Sequence, residues 1–384
     1  MAQGNNLKAE QLEQKIAFEK NERKAFLLQF ELQQLYTKSD HVKADSLVDV
    51  IYKKSITLSD TFRLQAILLA ANKELKNGNN AGYCSYVLAA QSFINRISDL
   101  GIHSDIQAHL AKYHILQNEF ETADFYINQS FRTSHKSNSK VKAASLYLLR
   151  SEMHLKAHKK DSAIMNVDLA IKYARRVSDR TLLASCFNQQ ARIFDHFGQV
   201  ELSVAKNILA LQIANENGNK QQVSAYSREV GLAQFSIHNL TEASRYFRQS
   251  LNAATSINDR RQIALAKMEL GQVEFEHRNF KKAISLCEES QTTFEKLKDI
   301  ESLGKSYNTL GTIYKELKDF NKAASNFNKA LINFEQIGAI NNIAMVYHNV
   351  GTVFYAQGKY QNALSYLNRS LELSYNNNYS TQWY

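Results

Sequence analysis

The chain has 384 residues, 44% hydrophobic and 22% charged, so it contains enough apolar material for a sizeable core. It has no proline, only 13 glycines and no Ser/Gly-rich linker, which excludes separate domains joined by flexible linkers. The net charge of +10 comes mostly from residues 61–200, in basic segments at 131–142, 155–160 and 172–180. These dispersed charges indicate either a solvated face or an acidic partner. Without a zinc-finger spacing, an RNP motif or a basic zipper, we expect no nucleic acid ligand.

The first hundred residues predict helices with only a weak repeat. Apolar residues recur there at helical spacing, but Ala71 is followed twelve positions later by Tyr83, where later repeats have a second small residue. Leu32 and Ala44 mark a still more degenerate unit. We therefore predict N-terminal helices and degenerate repeats over residues 1–104.

Residues 105–375 repeat with a period of forty residues. The segment LGTIYKELKDFNKAASNFNKAL at 310–331 returns as VGTVFYAQGKYQNALSYLNRSL at 350–371. One small residue per period can be followed backwards through Gly351, Gly311, Gly271, Gly231, Ala191, Ser151 and Ala111. Twelve positions after each comes a second one: Ala363, Ala323, Ala283, Ala243, Ser203, Ala163 and Ala123. Internal similarity at such a period is the signature of a solenoid.

The apolar pattern of each repeat predicts two amphipathic helices joined by a tight turn. In residues 301–337 apolar residues recur at helical spacing up to Leu317, and they resume at Ala323 after the turn KDF. A single helix pair cannot bury both of its apolar faces, so neighbouring pairs must stack. The sequence therefore predicts an all-α solenoid of about eight or nine antiparallel helix pairs.

These residues resemble the tetratricopeptide repeat (TPR), which places small and aromatic residues at fixed positions of its two helices. The matching residues are Leu310, Gly311, Tyr314, Ala323, Phe327 and Ala330, and then Val350, Gly351, Phe354, Ala363 and Leu367, with Ser370 in place of the last Ala. The resemblance implies a right-handed superhelix whose first helices line a concave face. The familiar unit has about 34 residues and ends with proline. Here each repeat is longer and ends with Asn, Asp or Gly, so we expect helix caps in place of proline.

The forty-residue form resembles the TPR regions of bacterial signalling proteins, including membrane-anchored sensor kinases and transcription regulators. That resemblance implies a non-enzymatic domain that binds a protein or peptide and serves as a sensory or interaction region. The alternative is a Rap-like regulator, which responds to a peptide and binds response regulators. The chain length fits this alternative, but the N-terminal three-helix bundle of those regulators is not recognisable in residues 1–70.

The two ends of the chain bear on its compartment. The N-terminal MAQGNN is compatible with a terminus left by a removed secretory signal. Residues 376–384 follow a helix cap where the next repeat would begin, so we expect a truncated end or the start of a further helix there. We therefore favour a periplasmic location narrowly over a cytoplasmic one, with membrane attachment only through a downstream segment.

The sequence contains no recognisable motif for catalysis or cofactor binding. Without GxSxG, GxxxxGK[ST] or GxGxxG motifs, we expect no enzyme activity and no cofactor. His154 and His158 have the spacing of a zinc helix but lack the neighbouring Glu and a third ligand. Asp195 and His196 are not accompanied by a nucleophile. We expect surface or groove roles for both pairs, and no metal site.

The TPR resemblance also implies which residues meet a ligand. In this family they lie on the first helix, six and three residues before the small residue and one, four and five residues after it. Carried over to this chain, these positions give Asn188, Arg192, Asp195, Arg228, Phe235, Gln272, Phe275, Lys305, Asn308, Thr312, Lys315, His348, Thr352 and Tyr355. They also include His196, Leu232, Met268 and Glu276. Polar groups of this set would fix a peptide backbone or carboxylate, and the aromatic rings would take its side chains.

Two further expectations concern partners. Arg192, Arg228, Lys305 and Lys315 make the predicted face locally basic, so its ligand should carry acidic groups or a free carboxylate. The apolar residues within 363–373 form a surface that a following repeat would cover. Exposed apolar strips drive association, so we expect self-association through the C-terminal end.

Overall fold

The computed structural model describes residues 2–136 and 140–376, and within these ranges every regular element is a helix. The helices before the regular repeats are α1 (Ala2–Phe18), α2 (Glu22–Ser39), α3 (His41–Ser55), α4 (Asp60–Lys76) and α5 (Asn80–Gln91), followed by a 3₁₀ turn at Ile94–Arg96. The later helices are α6 (Leu100–Leu116), α7 (Phe120–Lys136), α8 (Lys140–Lys156), α9 (Lys160–Arg176), α10 (Arg180–His196), α11 (Val200–Glu216), α12 (Lys220–Ser236), α13 (Leu240–Thr255), α14 (Arg260–Glu276), α15 (Phe280–Leu297), α16 (Ile300–Glu316), α17 (Phe320–Gln336), α18 (Ile340–Ala356) and α19 (Tyr360–Asn376).

The chain divides into two compact units. The N-terminal unit runs to Gln262 apart from Asn77–Asn79, and the C-terminal unit takes Asn77–Asn79 and resumes at Ile263. In each unit consecutive helices pack as antiparallel pairs, such as α8 with α9 or α16 with α17. The predicted all-α stack of helix pairs is confirmed, with eight pairs from α4 to α19. The predicted boundaries at residues 104 and 375 stay predictions, and residues 377–384 lie outside the described residues.

The turns explain how the chain ends its helices without proline. From His158 to Gly358, every twentieth residue has a positive φ, between 52° and 74°. This left-handed residue follows the helix and lets backbone N–H groups reach the last carbonyls, as with Gly338 N–H donating to the Glu335 carbonyl at 3.1 Å. The four glycines of this series adopt this conformation without a steric penalty, whereas residues such as Lys318 adopt it at some cost. Side-chain N-caps start many of the following helices; for example, the Asp319 carboxylate accepts from Lys322 N–H at 3.1 Å.

The small residue of each first helix meets the side chain sixteen positions later, on the second helix. A Cβ atom added at Gly311 would lie 2.5 Å from the Phe327 ring, and one added at Gly231 would lie 2.5 Å from Phe247. At Gly351 the corresponding neighbour is Leu367, at 2.8 Å. Repeats with Ala or Ser in the first helix have smaller or polar residues at the second position: Ala71 with Val87, Ala111 with Ile127, Ser151 with Val167 and Ala191 with Asn207. The summed volume of these two side chains is therefore nearly constant from repeat to repeat, except where Gly271 faces Cys287.

The N-terminal helices correct one statement made from the sequence. No three-helix bundle was recognisable in residues 1–70, yet α1, α2 and α3 precede the repeats and share a core. Its buried residues are Ala9, Leu12, Leu32, Tyr36 and Ala44. This bundle was not recognised from the sequence because the apolar faces of its helices follow no forty-residue period. Among the described residues, no helix is long and apolar enough to cross a membrane.

The contact between Gly311 and Phe327 gives a stability prediction. Gly311→Ala should lower the free energy of unfolding by about 1–3 kcal/mol, because the new methyl group overlaps the buried Phe327 ring. Asn321→Ala, at an exposed position at the start of α17, should change stability much less. Urea unfolding of both variants checks this, and equal midpoints would show that the two helices do not depend on the close approach at Gly311.

Candidate functional site

In the N-terminal unit, the predicted binding residues lie on the first helices α10 and α12. Arg192 is exposed, and its Nη1 donates to the Gln189 side chain at 3.1 Å. Arg228 is half-buried and pairs with the Glu229 carboxylate at 2.9 Å. Burial and the charge of Glu229 raise the pKa of Asp195. Charges of both signs therefore alternate along these two helices, and the surface is less basic than the sequence suggested.

Two further predicted residues of this unit point partly inward. Asn188 donates through Nδ2 to the Oδ1 of buried Asn207 on the second helix, at 2.8 Å. Phe235 is half-buried on α12. Asn188 therefore helps to fix the distance between the helices of its own pair, and its amide oxygen retains acceptor capacity for a ligand.

A row of charges on α6, α8 and α10 was missed in the sequence. Lys112 and Glu152 lie one residue after the small residues of their repeats, the position that Arg192 occupies on α10. The Lys112 Nζ is 2.5 Å from the Glu152 carboxylate, and both side chains are largely buried. The same positional rule that selected Arg192 would have found them if it had been extended to the two preceding repeats.

The electrostatics of this row centre on Glu152. Burial raises the pKa of the Glu152 carboxyl, but the charges of Lys112, Arg192 and Lys156 outweigh burial and hold it below 4.5. Three cations therefore surround one carboxylate. This arrangement suits an additional anionic group from a ligand.

The histidines singled out in the sequence come together in an unexpected combination. His158 and His196, rather than His154 and His158, form the close pair, with Nδ1 of His158 3.0 Å from Nε2 of His196. Burial, His158 and Arg192 lower the pKa of His196, so its neutral form is favoured. Within the described ranges, no three His, Cys, Asp or Glu side chains are grouped to hold a metal ion.

In the C-terminal unit, hydrogen bonds join neighbouring first helices at the predicted positions. Asn349 Nδ2 donates to Asn308 Oδ1 at 2.9 Å, between α18 and α16. Lys315 Nζ approaches Thr352 Oγ1 at 3.4 Å between the same helices. Gln272 Nε2 donates to the hydroxyl of Thr309 at 3.2 Å, between α14 and α16. We call this set the polar seam: Gln272, Asn308, Thr309, Lys315, Asn349 and Thr352, together with Thr312, whose hydroxyl donates to the Asn308 carbonyl within α16 at 3.1 Å.

The other predicted residues of this unit differ in exposure. Lys305 is exposed and pairs with Glu301 on its own helix at 2.6 Å. His348 is half-buried, and burial together with the charge of Lys315 lowers its pKa. Tyr355 is 66% exposed and packs edge-on against Tyr360.

Two predicted residues belong to the core of the C-terminal unit. Phe275 packs beside Cys287 and Ile313, and Met268 is buried against Phe294. The positional rule failed for Met268 because the apolar stripe of α14 is wide enough to include the position three residues before Gly271.

Comparison with known proteins identifies the repeat. Residues 262–336 and 302–376 match the model of the tetratricopeptide repeat. Residues 262–376 are TPR repeats. No curated protein matches the chain by sequence. The TPR assignment therefore rests on the C-terminal repeats, and the fold of the remaining chain comes from structural similarity.

Solved structures with the same fold include TPR proteins of signalling systems. A Rap protein complexed with competence and sporulation factor matches with a TM-score of 0.64 and 14% identity, over 91% of this chain and 97% of that chain. Aspartyl phosphate phosphatase F from Bacillus subtilis matches with a TM-score of 0.61 and 13% identity, over 90% and 91% of the two chains. A STAND signal-transduction ATPase with a TPR sensor, from Pyrococcus horikoshii, matches with a TM-score of 0.58 and 12% identity, over 90% and 53%. The chain therefore has the TPR fold found in these signalling proteins.

The charge row on α6, α8 and α10 gives a pH prediction. The folded pKa of Glu152 lies below its unfolded value, so its contribution to stability is present above about pH 4.5 and is lost as the pH falls through the folded pKa. Glu152→Gln should destabilise the fold by on the order of 1–3 kcal/mol at pH 7. The difference from the unsubstituted protein should shrink on acidification below pH 4.5. Chemical unfolding between pH 3 and 7 checks this, with exposed Glu201→Gln as the control; a constant difference would contradict the charge row.

Proposed function

We propose that the protein is a non-catalytic binding domain of a bacterial signalling or regulatory protein, and that its first helices hold a peptide or an extended segment of a partner protein. The polar seam of the C-terminal unit is the observation that carries this proposal. Amide and hydroxyl groups of α14, α16 and α18 lie there at repeated positions, and an extended chain offers backbone donors and acceptors at regular intervals. Exposed Tyr355 adds an aromatic surface for a side chain.

The ligand proposed for these surfaces carries acidic groups. Arg192 is exposed, and it shares Glu152 with Lys112 and Lys156. By contrast, Arg228 and Lys305 already contact carboxylates within their own helices. The cationic requirement therefore falls mainly on Arg192 and on Lys315, whose Nζ lies 3.8 Å from the Glu316 carboxylate, farther than the 2.9 and 2.6 Å of the Arg228 and Lys305 pairs.

A Rap-like regulator remains the second candidate. The Rap complex matches over 97% of its own length, and the present chain has three helices before its repeats, which supports this candidate more than the sequence did. The two candidates differ in the number of partners. A Rap-like regulator should bind both a short peptide and a receiver domain, whereas a sensory domain should bind one ligand class. Calorimetric titration with peptides and with receiver domains separates them.

The binding proposal predicts matched mutational effects. For a peptide selected from a random library, Lys315→Ala or Asn308→Ala, both in the polar seam, should each weaken binding at least tenfold, about 1.4 kcal/mol. The controls are Arg245→Ala and Asn333→Ala on second helices α13 and α17, whose side chains bond within their own helices. Fluorescence titration measures Kd, which should also rise with salt. Mass spectrometry should recover the peptide uncleaved and unmodified. Equal losses in the control variants would place the binding surface elsewhere.

We also propose that the protein self-associates through α19. Tyr360, Leu364 and Leu371 are 65%, 55% and 66% exposed, and they share one face of the helix. In α17 the equivalent Phe320 and Leu331 are half-buried and pack in the cluster formed with α18. The outer face of α19 therefore has the apolar character of a surface that elsewhere receives the next repeat.

Charge on this face should prevent the association. Leu364→Glu with Leu371→Glu should convert a self-associated species to monomer in light scattering, because burying two carboxylates at an apolar contact is unfavourable. The control is Ile332→Glu, which alters an equally exposed residue of α17. The measurement is made at about 50 μM, because weak homodimers have micromolar Kd values. The proposal would be contradicted if the unsubstituted protein were monomeric at this concentration, or if Ile332→Glu also converted the associated species to monomer.

A further inference from the structure

Within the N-terminal unit, four consecutive first helices begin with a cation. The first residues of α8, α10, α12 and α14 are exposed lysines or arginines: Lys140, Arg180, Lys220 and Arg260. We call these four residues the cationic edge. In the C-terminal unit, the equivalent first residues of α16 and α18 are Ile300 and Ile340, so the cations are not a general property of the repeat.

Helix stability does not explain the cationic edge. The N-terminus of a helix is the positive end of its dipole, so acidic residues are favourable there and cations are unfavourable. None of α8, α10, α12 and α14 has an acidic residue in its first turn. N-cap side chains satisfy the backbone instead; for example, the Asp179 carboxylate accepts from Leu182 N–H at 2.9 Å. The repeated cations therefore indicate a role other than supporting their own helices.

Hydrogen bonds join neighbouring helix ends along this edge. Gln222 Nε2 donates to the Thr181 carbonyl at 2.8 Å and to the Ser185 hydroxyl at 3.1 Å, which joins the start of α12 to the start of α10. The next first helix towards the N-terminus, α8, also contacts α10. Arg180 and Lys220 therefore lie on adjacent helix ends. Since packed helices lie about 8–10 Å apart, the edge offers one cation roughly every 10 Å.

Little negative charge accompanies these cations. In the last turn of each preceding second helix, the connection and the first turn of the next first helix, the described residues include one exposed carboxylate, Glu216. Glu216 contacts Arg180, but the two side chains are 60% and 56% exposed. An ion pair this exposed is weak, so Arg180 can exchange Glu216 for another carboxylate. Arg175 and Arg176 add two exposed cations at the end of α9.

We propose that the cationic edge binds an acidic, extended segment of a partner protein. An extended chain advances about 3.3 Å per residue, so every third residue reaches the next cation of the edge. The segment should therefore carry Asp or Glu at every third position over about ten residues, a length set by four cations roughly 10 Å apart. This inference goes beyond the proposed function, because none of the four residues belongs to the polar seam or to the charge row on α6, α8 and α10.

Two synthetic peptides test the spacing of the ligand. The first is a labelled peptide of four Glu-Ser-Gly triplets, and the second has the same composition with its four Glu residues consecutive. Fluorescence anisotropy at about 50 mM salt measures both Kd values, because higher salt screens contacts between exposed charges. The spaced peptide should bind at least about threefold more tightly, since only its carboxylates match the cations of successive helices.

Substitutions of opposite expected sign test the surface. Arg180→Gln with Lys220→Gln should weaken binding of the spaced peptide about tenfold without lowering the melting temperature. Glu216→Gln should strengthen binding about threefold, because it removes the carboxylate that competes for Arg180. The control is Lys281→Gln with Lys329→Gln, which removes two exposed cations of α15 and α17 and should leave the Kd unchanged.

The outcomes also separate this surface from other anions and from the polar seam. Equal Kd values for the two peptides, or an equal loss in the control variant, would overturn the proposal. Tighter binding of a single-stranded oligonucleotide of equal charge, or of vesicles containing phosphatidylglycerol, would also overturn it if Arg180→Gln with Lys220→Gln abolished that binding. A peptide selected for the polar seam should keep its affinity in this double variant, so failure of either proposal leaves the other testable.

Discussion

The close approach of the two helices in each repeat depends on one contact, between a small residue of the first helix and the side chain sixteen positions later. Where the first residue is Gly311, the second is Phe327, and no space remains for a Cβ atom. Where the first is Ser151, the second is the smaller Val167. Close-packed interiors tolerate little change in volume, so the two positions must be matched. This contact fixes the spacing within the pair and so determines which residues of the first helix remain on the surface.

Regular helix length follows from the turns. A left-handed residue every twenty positions stops each helix after about four and a half turns, so equivalent side chains recur at the same height in successive pairs. The hydrogen bond between Asn308 and Asn349 and the contact between Lys315 and Thr352 are direct results of this alignment. A surface with repeated polar groups can follow an extended ligand over several repeats. A single repeat could offer only one such contact.

The sequence predicted the features that repeat and missed those that do not. The small residues and the stacked helix pairs could be recognised because a pattern that is weak in one repeat recurs every forty residues. Of the proposed ligand positions, Asn308 and Thr352 lie in the polar seam, whereas Met268 lies in the core because α14 has a wider apolar stripe. The contact between His41 and Asp259 could not be predicted, because it joins residues that have no shared pattern and lie far apart in the chain.

We propose that the first helices, and not the second helices, form the binding surface. Site-specific incorporation of a photoreactive residue tests it most directly, because a cross-link reports contact without altering affinity elsewhere. The probe should be placed at Thr312 on α16 and, in a separate protein, at Asn333 on α17. The probe at Thr312 should cross-link a bound peptide or partner, and the probe at Asn333 should not. Cross-linking from Asn333 alone would contradict it.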